Sequence, residues 1–140
     1  MKSLIVLAVS IAISLACRCI PPTTETTYCS ADYIGRVKIT SMKSSEDKSY
    51  IIYGFKEVKK YKGNGTYTKF QTPSHSATCG ISSLKVGQEY LLPAKLQKAV
   101  LTANTCLGFP VEDNHGVGPL EWEKVPQTLK DVLEKNPPKC

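Results

Sequence analysis

The sequence is short of the side chains most enzymes rely on. Its 140 residues include two histidines, His75 and His115, one tryptophan and two methionines. The histidines lie far apart and outside any ligand spacing, which argues against a self-contained zinc centre. No Gly-rich phosphate loop, no Gly-x-Ser-x-Gly elbow and no His-Glu-x-x-His helix occurs. Glu112 and Asp113 lack a neighbouring base or ligand set, so no catalytic residue is assigned and no enzyme is expected. No apolar run reaches the roughly 20 residues of a membrane span. Acids are also scarce: 12 Asp and Glu face 18 Lys and Arg, for a net charge of +6. The length allows one domain, and 41% apolar with 21% charged residues is a globular composition.

What is present begins with a leader. Lys2 precedes a short apolar run from Leu4 to Leu15, and Ser14-Leu15-Ala16 offers the small residues of a cleavage site. Residues 1–16 therefore read as a secretory signal peptide and 17–140 as the mature domain, which starts at Cys17 and is secreted and extracellular. All six cysteines, Cys17, Cys19, Cys29, Cys79, Cys106 and Cys140, fall in the mature part. An even count in an oxidising compartment reads as three disulfides, and spacing leaves about 15 connectivities open.

Along the mature chain, Thr23 to Ile34 has a helical spacing. Val37 and Ile39 begin a strand that gives way to a polar loop over Ser41–Ser49. Tyr50–Val58 and Thr66–Thr72 are strands separated by a Lys62-Gly63-Asn64-Gly65 turn. Tyr90–Leu96 and Ala99–Thr102 form a hairpin around Gln97-Lys98, with Pro93 placing the first at an edge or bulge. Short strands at this spacing indicate a small, mainly β barrel or sandwich. A Gly- and Pro-rich loop comes after Cys106, then a helix after Pro126 with Leu129, Val132 and Leu133 on one face. Cys140 is expected to pin that helix to the body, and Trp122 to cover one end of the barrel.

The chemistry concentrates at Cys17-Arg18-Cys19-Ile20-Pro21-Pro22. Two cysteines at i and i+2 in an extended chain are poorly placed to bridge each other, so each is expected to bond elsewhere and clamp the new terminus to the domain. Pro21 and Pro22 stiffen the backbone next to the clamp. A free α-amine and the carbonyl oxygen of the same residue form a five-membered chelate, able to fill the open position of another protein's catalytic zinc. Spacing alone leaves a second reading open, dense disulfide stapling, which is common in small secreted domains.

Taken with Cys29, Tyr61-Lys62-Gly63, Phe70 with Thr72-Pro73, Cys79-Gly80, Lys95-Leu96-Gln97 and Thr105-Cys106, that opening resembles the netrin-like domain of the tissue inhibitors of metalloproteinases, in its single-domain invertebrate form. The resemblance covers Cys17 to about Cys106. It implies a five-stranded OB-like Greek-key barrel with flanking short helices. It also implies the pairs Cys17–Cys79, Cys19–Cys106 and Cys29–Cys140. Cys17 would chelate the zinc of a target protease, the chain holding no cofactor of its own. A binding ridge would comprise Cys17, Arg18, Cys19, Ile20 and Pro21, flanked by a contact strand of Ala77, Thr78 and Cys79. The partners implied are zinc metalloproteases of the matrix metalloproteinase or metzincin type, met by a monomer.

Arg18 departs from the family, which usually carries a small Thr or Ser at that position. It keeps a second function in view, a non-inhibitory netrin-like binding module, immunomodulatory or bound to extracellular matrix. The lysine-rich stretch from Lys43 to Lys69 would suit heparan sulfate. A nucleic-acid binder is disfavoured by secretion and disulfides. Asn64-Gly65-Thr66 is an N-glycosylation acceptor motif.

Overall fold

The computed structural model describes residues 17–111 and 118–140; residues 1–16, read above as a leader, and Glu112, Asp113, His115 and Gly116 lie outside the described residues. Helix α1 (Thr24–Ser30) is shorter than the helical spacing predicts. It opens with a reciprocal cap, in which the Thr26 amide donates to Thr23 Oγ1 (3.1 Å) and the Thr23 amide to Thr26 Oγ1 (2.8 Å). Ala31 ends it, and Tyr33 and Ile34 belong to the next strand because both are drawn into the core.

Strands β1 (Tyr33–Ser44), β2 (Tyr50–Lys62), β3 (Lys69–Pro73), β4 (Glu89–Gln97) and β5 (Val100–Thr102) come next. Their order is β1-β2-β3-β5-β4, and β4 returns to pair with β1, closing a five-stranded barrel. Only β3–β5 is parallel; the other neighbours are antiparallel. This is the OB-like architecture expected. A two-residue β6 (Leu120–Glu121) adds to β4, and α2 (Gln127–Lys135) packs outside.

Several boundaries differ from expectation. The segment Ser41–Ser44 is strand, not loop, since it pairs with Ile51–Gly54 through backbone bonds that polar side chains do not hinder. The loop proper is Ser45–Ser49. There Asp47 accepts from both serine hydroxyls (2.7 Å each) and the Ser49 amide (3.1 Å), and these donors hold its carboxyl down at about 2. β3 starts only at Lys69, and Thr66–Thr68 stays outside it.

β4 is central rather than an edge. It pairs with β1 on one side; on the other it meets β6 at Tyr90–Leu91 and β5 from Lys95 on. The Ala94 carbonyl accepts from Asp32 on the β1 side (2.9 Å), so the alternating Pro93 turns its ring nitrogen toward the gap between β6 and β5. A buried proline there sacrifices no cross-strand bond.

Two cores result. Tyr33, Val37, Ile39, Tyr53, Phe55, Phe70 and Leu92 fill the barrel, with Tyr53 stacked on Phe70 at 5.2 Å. Ile34 and Leu91, from the opposite faces of β1 and β4, join Leu107, Phe109, Leu129 and Leu133 beneath the helices. β4 is thus buried on both faces, which hides its alternation in the sequence. Trp122 belongs to this second core, stacked on Tyr61 at 6.4 Å with Arg36 at 4.6 Å from its ring, and does not cap the barrel.

The β4–β5 turn centres on Lys98 and Ala99, one residue later than expected, and both have positive φ (48° and 64°). Residues with a Cβ are strained there, whereas Asn-Gly suits such a turn. The double change Lys98→Asn, Ala99→Gly is expected to raise stability by about 1 kcal/mol, read as a higher urea midpoint at unchanged slope.

Candidate functional site: a clamped N-terminal ridge

Cysteines placed at i and i+2 diverge to different partners. Cys17 bonds Cys79, Cys19 bonds Cys106, and Cys29 on α1 bonds Cys140 beyond α2. Their Cα atoms lie 5.0, 5.0 and 5.5 Å apart, within the ordinary range for a bridge. The first two bridges pack together, with Cys106 Sγ 3.4 Å from Cys17 Sγ and 3.6 Å from Cys79 Sγ. Thr105 ties them in: its amide donates to the Cys79 carbonyl (2.9 Å) and its hydroxyl lies 3.3 Å from Cys17 Sγ. Asn104 Oδ1 accepts from the Cys106 and Leu107 amides (2.8 and 3.1 Å), fixing the turn that presents Cys106.

The flanking segment is a corner, not the contact strand expected. Ser76–Thr78 makes one 3-10 turn and Cys79 adopts the left-handed conformation (φ 66°). The His75 carbonyl gathers donors from the Thr78 amide, the Thr78 hydroxyl and the Gly80 amide at 3.1, 2.9 and 3.0 Å. A Cβ on Gly80 would strike the Pro73 and His75 carbonyl oxygens. The sequence needs glycine here for space, because the chain must fold back onto β3 immediately after Cys79.

On this frame Arg18, Ile20 and Pro21 are exposed, Ile20 to 90%, while Cys17 and Cys19 are half-buried. Ala77 and Thr78 are exposed beside them. Ile20 stands unshielded beside Pro21 and Pro22, whose rings fix φ and stiffen the backbone there. The structure thereby brings residues 17–21 and Ala77–Cys79 to one side through two bridges.

The sulfurs of Cys17, Cys19 and Cys106 cluster closely enough to suggest a metal site. All three are disulfide-bonded, so none is a thiolate able to bind an ion. With its sulfur in a bridge, Cys17 keeps its main-chain carbonyl oxygen as a free polar group. Among the described residues, no hydrogen bond engages that carbonyl oxygen.

Sequence reasoning overlooked Asn104 and Thr105 as supports. The Asn-Thr pair just before Cys106 is an Asx-turn signal that would have found the first. Thr27, whose buried hydroxyl donates to the Gly108 carbonyl (2.7 Å) and so holds α1 against the loop after Cys106, carries no local signal.

A profile of the family described as tissue inhibitor of metalloproteinase matches residues 15–109, a span that holds every ridge residue. The chain belongs to the tissue inhibitor of metalloproteinase family. It is also similar to a Caenorhabditis elegans protein named "Putative metalloproteinase inhibitor tag-225", 29% identical over 149 aligned positions that cover 94% of each chain. Inhibition of metalloproteinases is thus the activity the family brings, and its members are inhibitors rather than enzymes. The profile ends at Phe109, so α2 and the Cys29–Cys140 bridge lie partly or wholly beyond the matched span. Among the described residues no helix is long and apolar enough to cross a membrane.

Proposed function

We propose that this chain is a secreted inhibitor of zinc metalloendopeptidases of the metzincin type, and that its mature N-terminus is the inhibitory group. The single observation carrying the reading is the double clamp: Cys17 and Cys19 are tied within three residues to two neighbouring points of the barrel. Termini ordinarily fray, and one held this rigidly is preorganised to place an amine and a carbonyl at a fixed point.

The residues fit a protease-held zinc. With Cys17 Sγ in a disulfide, the α-amine nitrogen and the carbonyl oxygen form the donor pair, and at a reference pKa of about 7.7–8.0 a useful fraction of the amine is neutral in extracellular fluid. The zinc would supply the Lewis acidity the protease uses on its own water. The Cys17 pair would hold that metal, Arg18 would meet the pocket for the residue after the scissile bond, and Ile20 and Pro21 would lie along the cleft.

The test uses the low pKa of the same amine. Carbamoylation near neutral pH reaches an α-amine well before lysines, whose pKa is about 10.4. Blocking it is expected to raise inhibition constants across a metalloprotease panel by at least about 100-fold, near 2.7 kcal/mol. Undiminished inhibition by blocked protein would refute the chelate.

Arg18 sets selectivity. Burying a guanidinium without a partner in an apolar pocket costs several kcal/mol, and about 1.4 kcal/mol is tenfold in affinity. Arg18→Thr is expected to tighten inhibition of proteases with narrow apolar pockets by tenfold or more, and to weaken it where the pocket is acid-lined. Inhibition constants that do not move would remove Arg18 from the interface.

A specific observation also favours the second reading, a module binding a sulfated glycan such as heparan sulfate. Lys38 stands directly opposite Lys56 across β1–β2, and Lys69 lies opposite Gly54 on the next strand, all three exposed. Like charges facing each other oppose folding; Glu89 meets Lys38 from β4, and a polyanion would relieve the Lys56 and Lys69 side. Other lysines of the stretch are engaged: Lys59 pairs with Glu134, and Lys60 and Lys62 donate to the Gly65 and Tyr28 carbonyls. A module of this kind keeps its partner when the α-amine is blocked, which separates the two readings in the same experiment.

A further inference from the structure

We propose that Asn64 carries an N-linked glycan, placed at the pole of the barrel opposite the inhibitory ridge. The inference rests on passage through the secretory pathway, which the proposed function also requires, but concerns a site that the ridge does not use.

The acceptor triplet Asn64-Gly65-Thr66 lies between the end of β2 at Lys62 and the start of β3 at Lys69, so no sheet bond has to break for an enzyme to reach it. Asn64 and Thr66 are both exposed. The backbone on either side is nonetheless well anchored. Gly63 turns with φ 122° against Asp32 and Tyr33, Lys60 Nζ donates to the Gly65 carbonyl at 2.6 Å, and the Tyr67 ring meets Tyr33 edge-on at 5.6 Å. Among the described residues the Asn64 side chain makes no hydrogen bond, so it does not serve the turn as a cap. The amide is presented outward and the hydroxyl two residues on, which the motif requires, is presented with it.

The transfer balances simply. A bond forms between Asn64 Nδ2 and the anomeric carbon of an oligosaccharide carried on a polyisoprenyl diphosphate. The sugar–diphosphate C–O bond breaks, the lipid diphosphate leaves, and one amide proton is released.

Two elements place the triplet away from the ridge. β3 leads from it toward the corner that ends in Cys79, and its five residues span roughly 13 Å at about 3.3 Å each. α1 separates them again, with Cys19 before it and Asp32, which touches Gly63, after it. A glycan at Asn64 therefore grows into solvent while the Cys17 end stays bare.

The test is intact mass of the full chain secreted by cultured insect cells, behind its own first 16 residues and, in parallel, behind an unrelated cleavable leader. Wild type is expected to show one glycan's mass excess, removed by peptide-N-glycosidase with a carboxylate left in place of the Asn64 amide. Asn64→Gln and Thr66→Ala are each expected to secrete without the excess. Glycosylation seen only behind the unrelated leader keeps the site and overturns the assignment of residues 1–16. Secreted wild type of unmodified mass overturns the site, whichever leader was used. Inhibition constants that are the same before and after the glycosidase support the opposite-pole placement, and a large change overturns it.

Discussion

Mature protein with one extra alanine ahead of Cys17 is expected to lose inhibition by about 1000-fold or more, equivalent to some 4 kcal/mol of binding. The extension leaves the barrel and all three bridges in place, because Cys17 and Cys19 are held by Cys79 and Cys106. What changes is the donor. The Cys17 nitrogen becomes an amide, whose lone pair is delocalised into the carbonyl and no longer coordinates a metal. The new amine stands one residue further out, up to about 3.8 Å from where the clamp would put it, against zinc–nitrogen bonds of about 2.0–2.1 Å. Both proteins are to be titrated against one active-site-counted metalloprotease, with circular dichroism confirming equal folding. Equal potency would mean that the ridge docks without its terminal nitrogen.

The second large effect is on stability. Gly80→Ala is expected to cost about 3 kcal/mol, because the added methyl meets backbone carbonyls of Pro73 and His75 that cannot swing aside as a side-chain tip would. Against a typical total of about 5–15 kcal/mol this is a severe loss, near 10 °C in melting temperature for a domain this size. The same shift would move Cys79, and Cys17 with it, so inhibition should fall along with stability. Gly87→Ala is the control. Its φ of 89° strains any side chain, but nothing lies within 4 Å of the added atom. A loss of about 1–2 kcal/mol is expected there, with the ridge unaffected. Melting temperatures and inhibition constants for the pair decide it: equal losses, or a Gly80 variant of full potency, would show that the corner yields.

The sequence was legible where local chemistry governs. Dense β-branched and aromatic residues marked β2, the Asn-Gly pair lay in the β2–β3 connection, and the spacing of Leu129 and Leu133 marked the buried face of α2. It misled where pairing overrode composition. Ser41–Ser44 reads as loop yet completes a ladder, and Thr66–Thr68 reads as strand yet pairs only through the Thr68 carbonyl's acceptance of the Phe55 amide. The Tyr33–Ile34 pair was drawn toward a helix by spacing and into β1 by two cores, one on each side of the strand. At the site, the residue types of the ridge were readable and its supports were not, since Thr27, Asn104 and Thr105 act across the fold or in a turn that composition barely marks.

By itself, then, the sequence determined that the chain is a small, basic, cysteine-stapled β domain, and that its chemistry gathers at the Cys-x-Cys opening. Composition, alternation and short motifs are local quantities, and one dimension holds them. Tertiary structure alone decided that the Cys-x-Cys segment and the 76–80 corner share one surface, and that two bridges lie side by side beneath it. Those are relations between segments separated by 62 and 87 residues, set by barrel closure through β1–β4, and no local pattern encodes a closure.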